Sequence, residues 1–180
     1  MKIDYYYSLM SPWAYLGAPR FYALQKKYCF FINHFPLDIM RLFPLSGGLP
    51  LSKRAEQRKI YRMLELKRWQ KRLKIPINYN PKFFPPSDVS RASLIILSID
   101  DPIKQNQISL KFLSQMWQED KDIGEEKNLR KACSDLELNF EKINEIANSK
   151  VELYESLADK AASLNIFGSP TYVLNKEIFW

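Results

Sequence analysis

Apolar and polar positions alternate over residues 2–7, with Ile3, Tyr5 and Tyr7 on one side and Lys2, Asp4 and Tyr6 on the other. That period of two predicts a half-buried strand. Ser11 then precedes Pro12, a helix-capping residue followed by the residue best tolerated at the first helical position, and a helix is expected from Pro12 to Tyr28. Pro19 predicts a kink or an early break within it. The run "CFFINHFP", residues 29–36, predicts a second strand, and two strands around one helix make a βαβ unit with a parallel pair.

Beyond this point the period changes. Residues 38–50 read as a loop because of their Pro and Gly content. From Leu51 the pattern becomes helical, with Met63, Leu66, Trp69 and Leu73 on one stripe and an end at Ile75–Pro76. The segment "NYNPKFFPPSD" reads as loop, and the apolar run over residues 91–99 fits a buried helix or a strand equally. Ile108, Phe112, Leu113 and Met116 mark a helix. A single further helix is expected over Leu129, Ala132, Cys133, Leu136, Phe140, Ile143 and Ala147, and another from Val151 to Leu164. "TYVL" and "EIFW" close the chain as two strands joined by a turn at Asn175–Lys176. The order is β, α, β, several helices, β, β, which predicts an α/β protein. Its thioredoxin-like domain is formed by residues 1–45 and 165–180, and an all-α insertion occupies residues 46–164. The helix that normally ends such a domain is expected to be absent or truncated.

Composition narrows the setting. The chain has 180 residues, 46% of them hydrophobic and 14% aromatic, enough for one packed core and too aromatic for disorder. A net charge of +7 suits an anionic small molecule or simply a lysine-rich solvated surface. The basic residues are spread along helices and form no nucleic-acid motif. Cys29 and Cys133 stand apart and outside any Cys-X-X-Cys pair, so buried thiols are expected rather than a disulfide or a metal site. The start lacks the basic and apolar regions of a signal peptide, and no apolar run approaches the ~18 residues of a membrane span. A cytoplasmic location, with neither membrane nor nucleic acid as partner, is the expectation.

Three stretches carry a resemblance. "YYYSLMSPWAYLG", "IYRMLELKRWQKRLKIP" and "NIFGSPTYVLNKEIFW", in that order and separation, resemble the first strand and helix start, the Tyr…Arg-Trp helix and the Gly-X-Pro hairpin of the 2-hydroxychromene-2-carboxylate isomerases and kappa-class glutathione transferases. The resemblance implies glutathione as cofactor. It places Ser11 where thioredoxin-like oxidoreductases carry the first cysteine of Cys-X-X-Cys, and Ala14 at the second. With neither cysteine present, a dithiol–disulfide cycle has no residues to run on, so the reactive sulfur would come from the ligand.

Elementary chemistry agrees. A helix N-terminus offers unpaired N–H groups and partial positive charge, and a hydroxyl adds a donor; together they favour a thiolate over a thiol. Ser11 is thus read as a hydrogen-bond donor to glutathione sulfur rather than as a nucleophile. His34, the only histidine, lies in a strand and gives it no base. The resemblance implies glutathione contacts from Ser11, Pro12, Trp13, Ser169 and Pro170, with Pro170 cis. Trp69, Tyr15 and Arg68 are expected around an anionic aromatic substrate, with Arg58 and Lys53 as further carboxylate partners. A homodimer is implied as well.

Two departures stand out. Gly47–Gly48 leads to Leu49–Pro50 where relatives often have Asn-Pro. The polar and acidic residues that follow the Phe-Trp in relatives would lie past Trp180. The implied reaction is a glutathione-dependent isomerisation. A kappa-class-like transferase or peroxidase, and a non-catalytic thioredoxin-like binding module, are the alternatives.

Overall fold

A computed structural model describes all residues, 1–180. β1 (Lys2–Tyr7), α1 (Pro12–Tyr28) and β2 (Phe31–Pro36) form the expected βαβ unit, with β1 and β2 parallel. β3 (Thr171–Leu174) runs antiparallel to β1 on its other side, and β4 (Glu177–Phe179) follows it, giving the order β2-β1-β3-β4. The β3–β4 turn is the one read from the sequence: Asn175 and Lys176 both have positive φ, 50° and 70°, as a tight hairpin turn requires.

The alternation in β1 does not end at a wet face. Tyr5 and Tyr7 enter the larger apolar core, but Tyr6 is equally buried, in a second core beside Leu37, Leu42, Leu157 and Ile166. β1 is an inner strand, so both of its faces are covered. One face lies under α1 and the helices α3 (Glu56–Leu73), α4 (Val89–Leu97), α5 (Pro102–Trp117), α6 (Glu126–Asp135) and α7 (Phe140–Asn148). The other lies under α2 (Ile39–Ser46) and α8 (Val151–Ser163).

Several expectations are corrected. Residues 38–50 are not all loop: Asp38 caps α2 by accepting from the N–H groups of Met40 and Arg41, and Gly47 ends it at φ 72°. Pro44 sits inside this helix, and it was the proline and the glycines that masked an N-cap…C′ signature. Leu51–Lys53 is a single 3₁₀ turn, and α3 proper starts at Glu56. α1 runs unbroken through Pro19, since buried packing of Leu16, Ala18 and Phe21 outweighs one missing helical hydrogen bond. The strand expected from residue 29 begins at Phe31, because Cys29 adopts a left-handed φ of 52° as the C-cap of α1. The undecided run over residues 91–99 is α4, capped by Asp88.

The long helix over residues 129–147 is two. Glu137 turns left-handed at φ 56°, and Asn139 caps α7 by accepting from Lys142 N–H. The apolar spacing survived the break because both helices present their stripes to the same core. No helix is long and apolar enough to cross a membrane.

Candidate functional site

The first strand delivers the chain to the site, and buried hydrogen bonds hold it there. After Tyr7 the chain turns through Ser8 and Leu9, where Trp117 of α5 donates its indole N–H to the Leu9 carbonyl at 3.0 Å. Ser11 N–H donates to the Ser8 carbonyl. Ser11 is 8% exposed and caps α1: its Oγ accepts from Ala14 N–H at 3.2 Å. The same hydroxyl donates to the carbonyl of Ser169 at 3.0 Å, and Ser169 Oγ accepts from Ser8 N–H at 2.7 Å.

The Ser169–Pro170 bond is cis, and these two serines lock the turn before β3 onto the start of α1. Residues 158 positions apart in the chain thus share one hydrogen bond. Two donors are left over at this junction. Trp13 N–H, in the first turn of α1, and Ser169 N–H have no hydrogen-bond acceptor in the chain. An anion between them would meet two backbone N–H groups, the positive end of a 17-residue helix and a buried hydroxyl.

Next to this junction, Trp13, Trp69, Leu16, Gly17, Leu73 and Arg20 line an open cleft of about 150 Å³. A cavity near that size holds one benzene-sized ring. Pro12 is buried at the first position of α1. Arg20 had not been singled out in the sequence. Its position two turns after Trp13 on a helix is the signal that places it on the same face.

Tyr15 and Arg68 do not line this cleft. Tyr15 is 2% exposed, and its hydroxyl donates toward the Pro76 carbonyl at 2.7 Å and Gln118 Oε1 at 2.9 Å. Burial, then Glu119, pushes that hydroxyl up to about 12. It ties α1 to the segment after α3, and Tyr15→Phe is expected to lower stability by about 1 kcal/mol in urea denaturation, the cost of leaving a carbonyl without its donor. Arg68 is exposed on the outer side of α3 and paired with Glu65 at 2.5 Å. Arg68 adjoins Trp69 in sequence, and on a helix that puts it about 100° away, off the face that lines the cleft.

Basic residues gather instead at the start of α3. Lys59 pairs with Glu56, and Arg68 with Glu65, but Arg54, Arg58 and Arg62 belong to no ion pair. Burial, then Arg58, holds the Arg54 guanidinium below its ordinary value, and burial, then Arg54, does the same for Arg62. Arg54 lies over the Phe43 ring at 5.7 Å and donates to the Leu49 carbonyl at 2.8 Å. Three cations that repel one another beside the Gly47–Gly48 loop are an anion site in electrostatic terms. Lys53 is exposed beside them. No three His, Cys, Asp or Glu side chains gather to hold a metal ion.

The comparisons agree with this architecture. The model of the DSBA-like thioredoxin domain family matches residues 2–180. The chain is similar to a 2-hydroxychromene-2-carboxylate isomerase of Sphingobium xenophagum, 25% identical over 99% of this chain and 91% of that protein. It is also 23% identical to one of Pseudomonas putida, over 100% of this chain and 88% of that one. A solved 2-hydroxychromene-2-carboxylate isomerase superposes with a TM-score of 0.84 at 22% identity, covering 100% of this chain and 88% of that one. With the βαβ start, the antiparallel hairpin and the serine-for-cysteine helix start all in place, the chain belongs to the DSBA-like thioredoxin domain family.

Proposed function

We propose that the chain is a glutathione-dependent isomerase acting on an anionic aromatic substrate of the 2-hydroxychromene-2-carboxylate type. The observation that carries this reading is the Ser11–Ser169 junction. A buried hydroxyl and two unpartnered N–H groups converge there at a helix start, with no cysteine in Ser11-Pro-Trp-Ala14 to supply sulfur. Those donors fit a thiolate, and Ser169 N–H fits the extended cysteinyl backbone of glutathione as an added strand would. The arginines Arg54, Arg58 and Arg62 fit carboxylates.

When bound, glutathione supplies a thiolate that adds to a conjugated double bond, allows rotation about the resulting single bond and is expelled, with no net oxidation. The protein's part is electrostatic and positional. Ser11 turns its hydroxyl from the Ser169 carbonyl to the sulfur. The start of α1 holds the negative charge, and Trp13 and Trp69 hold the ring. The relatives named as 2-hydroxychromene-2-carboxylate isomerases support the substrate class. A homodimer belongs to the same proposal.

Titration of the protein with reduced glutathione, followed by ultraviolet thiolate absorbance, tests the reading. The bound thiol is expected to ionise at least one pH unit below free glutathione, the behaviour of thiols at helix N-termini. Unshifted ionisation, or no saturable binding, would remove the thiolate from the mechanism. A glutathione conjugate formed with electrophiles, without isomerisation of the chromene, would make the chain a transferase.

A further inference from the structure

The positive charge of this chain is concentrated on one element. Residues 53–74, from the end of the 3₁₀ turn through α3 to its C-cap, hold ten of the 27 Lys and Arg but only two of the 20 Asp and Glu, a net of +8. The whole chain has +7, so all other residues, 17 basic and 18 acidic, come to −1. Both glutamates of α3 are taken by cations of the same helix, Glu56 by Lys59 and Glu65 by Arg68. Lys67, Lys71 and Arg72 pair with no carboxylate.

α3 turns this charge outward. Leu66 is its one buried residue, and Leu73 packs with it against the larger core. At 100° per residue, Ile60, Leu64, Lys67 and Lys71 fall within about 60° of one another, on the side away from that core. Tyr61, Arg68 and Arg72 widen the same face. All seven side chains are exposed, Ile60 to 55%, Tyr61 to 58% and Leu64 to 45%. A lone exposed leucine is ordinary, but here three large apolar side chains adjoin on neighbouring turns, with cations next to them.

Such a face asks two things of one partner: negative charge for the cations and apolar depth for Ile60 and Leu64. A nucleic-acid strand offers phosphates and stacking faces, which suit aromatic side chains and leave the two aliphatic ones unused. A second copy docked face to face would set like charge against like charge. An anionic bilayer surface supplies both needs. Its lipid phosphates attract Lys and Arg, and its acyl boundary takes aliphatic tips, with lysine stems lying along it. No spanning segment is required for that contact.

We propose that the outward face of α3 docks on anionic phospholipid membranes, with Ile60 and Leu64 entering the interface and Lys67, Lys71 and Arg72 meeting headgroup phosphates. The proposal stands apart from the glutathione reading, since none of these residues lines the Trp13–Trp69 cleft. The test is co-sedimentation of the whole chain with vesicles of phosphatidylcholine alone and with vesicles that also contain about 30% phosphatidylglycerol.

The chain is expected to pellet with the anionic vesicles and not with the neutral ones, and to be released as salt is raised. Lys67→Glu combined with Lys71→Glu is expected to weaken anionic-vesicle binding by roughly tenfold or more. Ile60→Gln combined with Leu64→Gln, which leaves the charge unchanged, is expected to weaken it by a similar factor. Thermal unfolding is expected to be unchanged in both pairs, because all four sites are exposed. Equal pelleting with neutral vesicles, or undiminished anionic-vesicle binding in either pair, would overturn the surface. So would tighter binding of a single-stranded oligonucleotide than of the anionic vesicles. A parental oligomer that dissociates in the glutamine pair would mark the face as a contact between copies and overturn it as well.

Discussion

On the proposed reaction, Ser11→Ala is expected to turn over the chromene substrate at least a hundredfold more slowly than the parent chain while staying folded. One preorganised donor at a developing anion is worth ~10²–10³ in rate, and the Ser11 hydroxyl supplies it by turning from the Ser169 carbonyl to the ligand. The same substitution also strips α1 of its cap, because Ser11 Oγ accepts from Ala14 N–H, and that loss alone costs about 1 kcal/mol of stability. Ser11→Gly separates the two effects, since glycine at an N-cap costs only a few tenths of a kcal/mol. Both variants are expected to be equally slow, with Ser11→Gly the more stable in urea. Near-parental turnover in Ser11→Gly would show that the hydroxyl serves the fold and not the chemistry.

Acidification from pH 6.5 to pH 4 is expected to destabilise the protein by roughly 3 kcal/mol through His34 alone, at 1.36 kcal/mol per unit between its ordinary and its folded value. The sign follows from the proton count. Burial depresses the folded value to about 4, against the hydrogen bond to Asn106, which raises it. Between 6.5 and 4 the unfolded chain therefore binds a proton that the folded chain refuses. Stability is complete above the unfolded value, falls as pH drops, and stops falling from this source below the folded value.

The groups facing the ring are the tyrosines Tyr5, Tyr7 and Tyr22 and the amide of Asn106, with no carboxylate among them. The carboxylates whose values are lowered by lysine or arginine partners, such as Asp135 and Glu126, act in a more acid window. Urea midpoints across this range check the expectation. His34→Gln should be less stable at neutral pH but flat between 6.5 and 4. A parental chain that is equally flat would place His34 in a wetter environment than its hydrogen bonds to Tyr7 and Asn106 imply.

Much of the site could be read from residue types with local meaning. Ser11-Pro12 announces a capped helix whatever surrounds it, and Ser169-Pro170 announces a turn before a strand. Trp69 was legible on the apolar stripe of α3, whereas its meeting with Trp13 at one cleft depended on how α1 and α3 pack. Tyr15 belongs to such a stripe too, yet its hydroxyl is spent on Pro76 and Gln118. Which stripe residue lines a cleft and which anchors the core depends on the neighbouring helix, and periodicity says nothing about that. Arg20 and Ser8 were missed for the same reason: neither stands out in type, and each matters only through what is packed opposite.

The sequence by itself determined the βαβ start, the closing hairpin, the serine in place of cysteine and the Ser11 cap, since these rest on short-range preferences of backbone and side chain. It did not determine that Tyr6 would be as buried as Tyr5, that the stripe over residues 129–147 would bend at Glu137, or that Ser11 would spend its proton on Ser169. Those outcomes required strand β1 to lie between two others and the chain's two ends to meet. Burial and long-range hydrogen bonding are properties of neighbours, and only the folded arrangement supplies the neighbours.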